Sequence, residues 1–322
     1  MTVPSLFCMT SDASSGPLRA RHGALDGVVP VPDGLAWWAD VPGGAAWLDS
    51  LPQLIEGCVR DWELTIGMPY APGSISWVAP AELPDGTRAV LKVNFPEEES
   101  EHEADALAFW GGAGAARLLA HDGERRAVLL SRCEPGDQLW SVEDQDIAYQ
   151  VAADVFRELW APAPADGPFR TLQTDALRWA RELPSRWSHH GEPFPRRLLD
   201  EATDLAVELA QSQPEQVLCH QDAHGGNMLL AGDRWLAIDP KPIVGERAFD
   251  LASSLRDRRW TLLRSPEPER VLARRLDRFV SELGVDRSRV RGWGIVHALA
   301  WGLTDETVYP DLVTCAELLA AL

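Results

Sequence analysis

Hydrophobic residues in the first part of the chain follow the spacing of short β-strands. Runs rich in β-branched and aromatic residues predict two pairs of strands: SISWVAPAEL with RAVLKVNF, then RLLAHD with RAVLLSRC. The turn sequence Pro84-Asp85-Gly86 joins the first pair as a hairpin. Between the pairs, PEEESEHEADALAFWGG predicts an acidic helix, because glutamates favour the first turns of a helix. Trp and Leu residues before this region predict one or two short helices, interrupted at Pro42-Gly43-Gly44.

After Pro135-Gly136 the spacing becomes helical. Leu, Val, Ala and Trp recur at helix-like intervals over 143–160, 171–183, 196–212, 268–283 and 290–308. The stretch 216–239 is different, since QVLCHQDAHGGNMLL and RWLAIDP predict a loop followed by a short hairpin. These patterns predict an α+β fold, with a small mixed-sheet domain followed by a mostly helical domain. Residues 1–30 show no periodicity and predict a mobile extension.

Length and charge narrow the classes of function. At about 150 residues per domain, 322 residues predict roughly two domains. The net charge of −19 disfavours nucleic acid and anionic membrane surfaces as partners and favours a cationic small molecule. Five scattered cysteines without a C-x-x-C pair, and the lack of an apolar run of about 18 residues, predict a cytoplasmic protein.

The strongest chemical signal lies between His220 and Asp250. Asp222 follows His220 by two residues, Asn227 comes five residues later, and Asp239 ends the strand-like WLAID. Phosphoryl transfer requires one carboxylate to orient or deprotonate a hydroxyl, and oxygen ligands to hold Mg²⁺ on nucleotide phosphates. Each residue alone is typical of a loop, but their combined spacing predicts a site for phosphoryl transfer.

These residues resemble the catalytic and metal-binding segments of the aminoglycoside phosphotransferase family, which is related to the protein kinases. The string WLAIDPKPIVGERAFDLAS is particularly similar to the branch of streptomycin 6-kinases and hydroxyurea phosphotransferases, and PGGAAWL and DGTRAVLKV resemble the same branch. The resemblance covers roughly residues 31–322. It implies a two-lobed protein-kinase-like fold, with a small antiparallel-sheet N-lobe and a larger, mostly helical C-lobe.

The resemblance also implies roles for single residues. Asp222 would be the catalytic base, Asn227 a metal ligand and Asp239 the principal metal ligand. His220 would brace the loop, and Asp250 would tie it to the helical lobe. The chain departs from the family on both sides of Asp222, with Gln221 where glycine is common and Ala223 where leucine is common. These departures affect the shape of the loop and leave the chemical groups intact.

Lys92 is the residue that predicts the nucleotide-binding site. It lies in the strand-like AVLKVNF and could reach the α- and β-phosphates of the nucleotide. The family pattern selects Glu103 as the carboxylate that holds its ammonium group, with Glu99 and Glu101 as competitors. An edge-strand role for Lys92 is the alternative. The segment Tyr70–Ser76 occupies the place of the phosphate-covering turn. In this family the backbone of the segment from Ser131 to Cys133 would bind adenine.

Together these features predict an ATP- and Mg²⁺-dependent kinase of a small-molecule hydroxyl, most favourably an aminocyclitol such as streptomycin. Residues 1–30 would be an extension, 31–132 the nucleotide-binding lobe, and 133–322 the lobe with the catalytic loop and substrate site. One alternative is a kinase of another metabolite, such as a sugar, an amino acid or a hydroxyurea-like compound. A second is a metal-dependent hydrolase, with zinc held by a cluster of His220, Asp222, His224 and Asp239. A third is a kinase-like binding protein without catalysis.

Overall fold

The computed structural model describes residues 29–70 and 75–322. The predicted extension, residues 1–30, lies almost entirely outside the described residues, and so does most of the predicted phosphate-covering turn. The described chain forms two compact units. The first unit contains the described residues up to Asp137 together with Leu230–Leu236, and the second contains Gln138–Leu229 and Ala237–Leu322.

The first unit is built on a five-stranded antiparallel sheet with the strand order β1-β2-β3-β5-β4. The strands are β1 Thr65–Ile66, β2 Trp77–Glu82, β3 Arg88–Val93, β4 Leu118–Asp122 and β5 Ala127–Ser131. The hairpin predicted at Pro84-Asp85-Gly86 is confirmed: β2 pairs with β3, and the Leu83 N–H donates to the Thr87 carbonyl at 3.0 Å. Gly86 has a φ of +82°, a conformation that suits glycine in such a turn.

A 3₁₀ helix, Asp33–Asp40, and helix α1, Gly44–Asp61, precede the sheet. The interruption predicted between two helices is confirmed. Tryptophans from this region and from β2 enter the hydrophobic core of the unit, where Trp38 and Trp77 are fully buried together with Leu51 and Leu91. This core fixes the inner face of β3.

The acidic helix is shorter than predicted. Helix α2 spans Glu103–Trp110, and the glutamates before it lie in turns. A continuous helix would place Glu97 and Glu99 four residues before Glu101 and Glu103, and such like-charged pairs destabilise a helix. Beginning the helix at Glu103 places this side chain against β3.

The second unit is mostly helical. Its helices are α3 Gln145–Leu159, α4 Leu172–His189, α5 Arg196–Gln211, α6 Arg247–Asp250, α7 Ala252–Leu255, α8 Arg259–Leu262, α9 Pro268–Leu283, α10 Arg287–Gly302 and α11 Pro310–Ala320. The five predicted helices are confirmed, but two end elsewhere: α4 continues to His189 and not to residue 183, and the last ends at Gly302 and not at residue 308. There Leu303 pairs with Val308 in an antiparallel bridge, and this pairing turns the chain away from the helix axis.

Two three-stranded sheets complete the fold. One has the order β7-β11-β8, with β7 Arg170–Thr171, β8 Val217–Cys219 and β11 Ile243–Gly245. The other has the order β10-β9-β6, with β6 Pro135–Gln138, β9 Met228–Ala231 and β10 Arg234–Ala237. The hairpin predicted after the catalytic loop is therefore confirmed. Within the described parts of the chain, no helix has the length and hydropathy that a bilayer span requires.

Candidate active site

In the first unit, Lys92 and Glu103 form a buried ion pair. Lys92 lies on β3, and its Nζ is 2.8 Å from both carboxylate oxygens of Glu103 at the start of α2. Lys92 is therefore paired with Glu103, the glutamate that the family pattern indicates. The role of the pair in binding nucleotide phosphates remains a prediction.

Two residues that the sequence analysis missed support this pair. The Asn94 side-chain amide donates to Glu103 Oε2 at 2.6 Å, and the Ser76 hydroxyl donates to Asn94 Oδ1 at 2.7 Å. Asn94 follows Lys92 by two positions, so both side chains point to the same face of β3. That period of two could have identified Asn94 from the sequence.

The predicted adenine-binding segment is only partly suited to its role. The Ser131 N–H donates to the Arg117 carbonyl at 2.8 Å, and the Ser131 hydroxyl accepts from the Arg117 N–H at 3.0 Å. The Ser131 amide is thus already used within the sheet and cannot serve as the donor to adenine. Cys133 is half-buried, and burial raises the pKa of its thiol to about 11.

In the second unit, strand β8 leads directly into the loop that carries the predicted catalytic base. Asp222 is almost fully buried, and the Asn227 side-chain amide donates to the Asp222 carbonyl at 3.0 Å. A 3₁₀ helix at Gly225–Asn227 follows, and the Ile238 N–H donates to the Asn227 carbonyl at 2.9 Å. These bonds bring Asp222, Asn227 and the strand end before Asp239 into one local arrangement.

Burial and charge act on Asp222 in opposite directions. Burial raises the pKa of its carboxyl group, whereas the positive charges of Lys241 and Arg256 and the neighbouring His224 lower it. The negative charge of Asp239 adds to the rise, which is consistent with the two carboxylates lying near each other. A carboxylate with a raised pKa accepts a proton more readily, as a general base requires.

His220 and Asp250 fix the loop through hydrogen bonds to its backbone and to the strand that follows. His220 is fully buried, its Nε2 donates to the Ile238 carbonyl at 3.0 Å, and burial lowers its pKa to about 4. Asp250 Oδ1 accepts from the Gln221 N–H at 2.7 Å, and its Oδ2 accepts from Trp160 Nε1 at 2.9 Å. Burial raises the pKa of Asp250 to about 6, although these hydrogen bonds act to lower it. Both residues occupy the bracing positions that the resemblance implies.

A second support, missed in the sequence analysis, is Trp140. Its ring lies parallel to the His224 ring, with centroids 5.2 Å apart, and its Nε1 donates to Asp257 Oδ1 at 2.7 Å. A Cβ atom on Gly226 would lie 2.6 Å from this indole ring, so the glycine permits the close approach. The Gly225-Gly226 pair signals such an approach in the sequence, but nothing identifies the partner.

The backbone at two site residues is strained. Gln221 has a φ of +68° and Asp239 a φ of +58°, in the left-handed region that residues other than glycine rarely adopt. Strain of this kind concentrates at functional sites, where surrounding structure enforces it. Other non-glycine residues of the described chain, such as Glu63 and Glu192, share this conformation, but here it falls on the residue before the predicted base and on the predicted metal ligand.

The zinc cluster of the hydrolase alternative does not form. His220 Nε2 is bonded to a backbone carbonyl, and His224 Nδ1 accepts from the Gly226 N–H at 3.0 Å. Over residues 29–70 and 75–322, no three His, Cys, Asp or Glu side chains are arranged to hold a metal ion. Asp222 and Asn227 instead lie in one hydrogen-bonded loop, and their role in phosphoryl transfer, together with that of Asp239, remains a prediction.

Structural comparison defines the class of fold. The protein matches the crystal structure of a thermostable mutant of an aminoglycoside phosphotransferase in ternary complex with AMP-PNP and hygromycin B, with a TM-score of 0.59 and 17% identity over 83% of this chain and 96% of that chain. The predicted protein-kinase-like fold is thereby confirmed.

Sequence comparison defines the family. The family model for aminoglycoside/hydroxyurea antibiotic resistance kinases matches residues 61–305. The chain is 37% identical to a streptomycin 6-kinase of Streptomyces glaucescens, over 86% of this chain and 91% of that protein. It is 33% identical to a hydroxyurea phosphotransferase of Kitasatospora aureofaciens, over 98% of this chain and 93% of that protein. The protein belongs to the family of aminoglycoside/hydroxyurea antibiotic resistance kinases, and it is an ATP-dependent small-molecule kinase.

Proposed function

We propose that the protein transfers the γ-phosphoryl group of ATP to a hydroxyl of an aminoglycoside or aminocyclitol such as streptomycin. The observation that carries this proposal is the loop around Asp222: its carboxylate is buried, its pKa is raised in part by the charge of Asp239, and its backbone carbonyl accepts from the Asn227 side-chain amide. The streptomycin 6-kinase relatives supply the class of acceptor.

In this mechanism Asp222 orients the acceptor hydroxyl for in-line attack and accepts its proton as the bond to the phosphoryl group forms. Lys92, held by Glu103, binds the α- and β-phosphates of the nucleotide. The buried carboxylate of Glu103 fixes the ammonium group, so the lysine needs no rearrangement when ATP binds. We assign the contact with adenine to the backbone near Cys133, because the Ser131 amide is already hydrogen-bonded within the sheet.

The donor set of the loop fits magnesium. Mg²⁺ prefers oxygen ligands, and Asn227 donates through its amide nitrogen to Asp222, which leaves its side-chain oxygen as the ligand atom. The Asp239 carboxylate supplies a second, charged oxygen. When bound, the ion would offset negative charge on the transferring phosphoryl group. Asn227 and Asp239 are the residues that would hold it.

The charge of the chain supports a cationic acceptor. A net charge of −19 raises the local concentration of a polycation and repels other polyanions. Magnesium and Lys92 counter that repulsion locally for ATP. Hydroxyurea is a second candidate acceptor, because the hydroxyurea phosphotransferase relative is matched over nearly all of this chain.

Mass spectrometry of the products tests the proposal. Purified protein is incubated with ATP, Mg²⁺ and either streptomycin or hydroxyurea, and a mass increase of one phosphoryl group identifies the acceptor. Asp222→Asn should lower turnover by about 10²–10⁴-fold, because the amide cannot accept the proton. Asp200→Asn, an isosteric change in an exposed ion pair of α5, is the matched control and should keep full turnover. Undiminished turnover in Asp222→Asn would exclude Asp222 as the base.

A further inference from the structure

Gln221 occupies a backbone conformation that its side chain disfavours. It lies between His220 and the predicted base Asp222, with a φ of +68°. Glycine adopts this conformation without the clash that a Cβ atom introduces. The shape of the loop alone therefore does not require a glutamine, and the residue needs another explanation.

The Gln221 side chain is held at one point. It is almost fully buried, and its Oε1 accepts from Arg170 Nη2 at 3.2 Å. Its Nε2 is buried without a hydrogen-bond partner, which is unfavourable for an amide. Backbone strain and an unsatisfied donor both make this residue unfavourable for the stability of the loop. The contact with Arg170 is what the glutamine adds.

Arg170 is itself anchored to two elements. It lies on β7, where it pairs in parallel register with Ile243 of β11, and its guanidinium forms an ion pair with Asp175 on α4. Asp175 also pairs with Arg178, at 3.0 Å. Gln221 thus connects the loop to the sheet and to α4 through one arginine.

A second restraint acts on the same residue, because the Gln221 N–H donates to Asp250 at 2.7 Å. Side chain and backbone amide are therefore fixed together, one residue before Asp222. The Asp222 N–H in turn donates to the His220 carbonyl at 2.9 Å, so the backbone on both sides of Gln221 has little freedom to rotate.

We propose that Gln221 is a positioning residue, whose side chain is clamped by Arg170 so that the strained backbone aims the Asp222 carboxylate at the acceptor hydroxyl. The proposal rests on the proposed role of Asp222 as the base. Small errors in the placement of a reacting group are costly in phosphoryl transfer, where catalysis consists largely of positioning and electrostatic stabilisation.

A double-mutant cycle measures the clamp. Gln221→Leu removes the acceptor at similar size, and Arg170→Met removes the donor while Asp175 keeps its pair with Arg178. Each change should lower kcat by about 10–100-fold with little change in the KM for ATP. The double variant should be no worse than the more impaired single variant, since both act through one contact. Losses that multiply in the double variant, or an unchanged kcat in either single variant, would overturn the proposal.

Gln221→Gly distinguishes the effect of the side-chain contact with Arg170 from the effect of the backbone conformation. Glycine relieves the strain but offers nothing to Arg170, so its kcat should fall as far as that of Gln221→Leu. A glycine variant with full kcat would show that only the backbone conformation matters, and would overturn the proposal. Arg196→Met, the same substitution in an exposed ion pair of α5, is the matched control for Arg170→Met and should leave kcat unchanged.

Hydrogen exchange gives a readout that needs no acceptor. In the protein without substrates, amides of residues 220–227 should exchange faster in Gln221→Leu and Arg170→Met than in the wild type, while those of α9 should not. Unchanged exchange in this loop would contradict the clamp. Failure of the wild type to phosphorylate either acceptor would instead contradict the proposed function, so the two failures are distinguishable.

Discussion

Lys92 and Glu103 form an ion pair in which both side chains are almost fully buried. Removing the charge from one partner takes away an attraction that offsets the burial of the other charge, and this is more costly in a buried pair than in an exposed one. In this chain the surviving charge would be the ammonium group that we assign to the phosphates of ATP.

Glu103→Gln should therefore affect both stability and nucleotide binding. Glutamine keeps the shape and an oxygen for Asn94, but we expect the free energy of unfolding to fall by about 3 kcal/mol and the KM for ATP to rise. Denaturant titration and steady-state kinetics measure the two effects. Asp200→Asn, in an exposed pair with Arg196, is the control and should change neither. A Glu103→Gln variant with wild-type KM for ATP would remove the pair from nucleotide binding.

At the scale of single residues, the sequence can single out side chains that have the chemical groups a reaction needs. Asp222, Asn227 and Asp239 could be found because phosphoryl transfer needs carboxylate and amide oxygens at a short spacing. The contact of the segment from Ser131 to Cys133 with adenine remains a prediction, and the sequence could not show that the Ser131 N–H is used within the sheet, because a backbone N–H leaves no mark in the sequence. The contact between Gln221 and Arg170 could not be found either, since it joins residues 51 positions apart.

At the scale of elements, the catalytic loop depends on what packs against it. Gly226 lies against the Trp140 ring, and an added Cβ atom would approach that ring to 2.6 Å. The indole cannot move freely, because it is bonded to Asp257 and contacts Trp260 edge-on. The loop would have to shift instead, and it carries Asp222 and Asn227.

Gly226→Ala should lower kcat by about 10–100-fold, because the displaced loop moves the base away from its position. Overpacking should also lower the free energy of unfolding, by about 1–3 kcal/mol. Adding Trp140→Leu should recover part of the stability by making room. Gly123→Ala is the control, since nothing lies within 4 Å of an added Cβ atom there. A Gly226→Ala variant with full kcat would show that the loop tolerates the shift.

Elements with a sustained hydrophobic period were predictable, and those defined by tertiary contacts were not. Helices α3, α4, α5 and α9 bury one regular face, so their spacing identifies them. Helix α10 and strand β5 are buried along most of their length, and continuous apolar runs identify them instead. Helix α2 begins further along the chain than predicted because the Glu103 side chain is bonded to Lys92. Helix α10 ends before the predicted residue because Leu303 pairs with Val308. Strands of two to four residues, such as β6 and β7, are too short to show a period.

At the scale of the whole molecule, the family resemblance accounts for more of the prediction than periodicity does. Spacing alone indicated a sheet region followed by a helical region, whereas the string around Asp239 indicated the kinase-like fold that structural comparison confirms. The net charge of −19 is the one global property that bears on the acceptor. It predicts attraction over distances longer than any single contact.

Salt should therefore separate a cationic acceptor from a neutral one. Raising the ionic strength from about 10 mM to about 0.5 M shortens the Debye length from about 30 Å to less than 10 Å and screens the attraction. We expect the KM for streptomycin to rise severalfold, because steering by the acidic surface is lost. The KM for hydroxyurea, which carries no charge, should stay constant.

The KM for ATP, measured in the same series at saturating Mg²⁺, distinguishes steering from a general effect of salt. ATP is an anion that the acidic chain repels, so screening should lower its KM or leave it unchanged. If the KM values for streptomycin and ATP rise together, salt perturbs the protein itself and not its attraction for a cation. A KM for streptomycin that does not change with salt would mean that the acidity of the chain plays no part in recognising its acceptor.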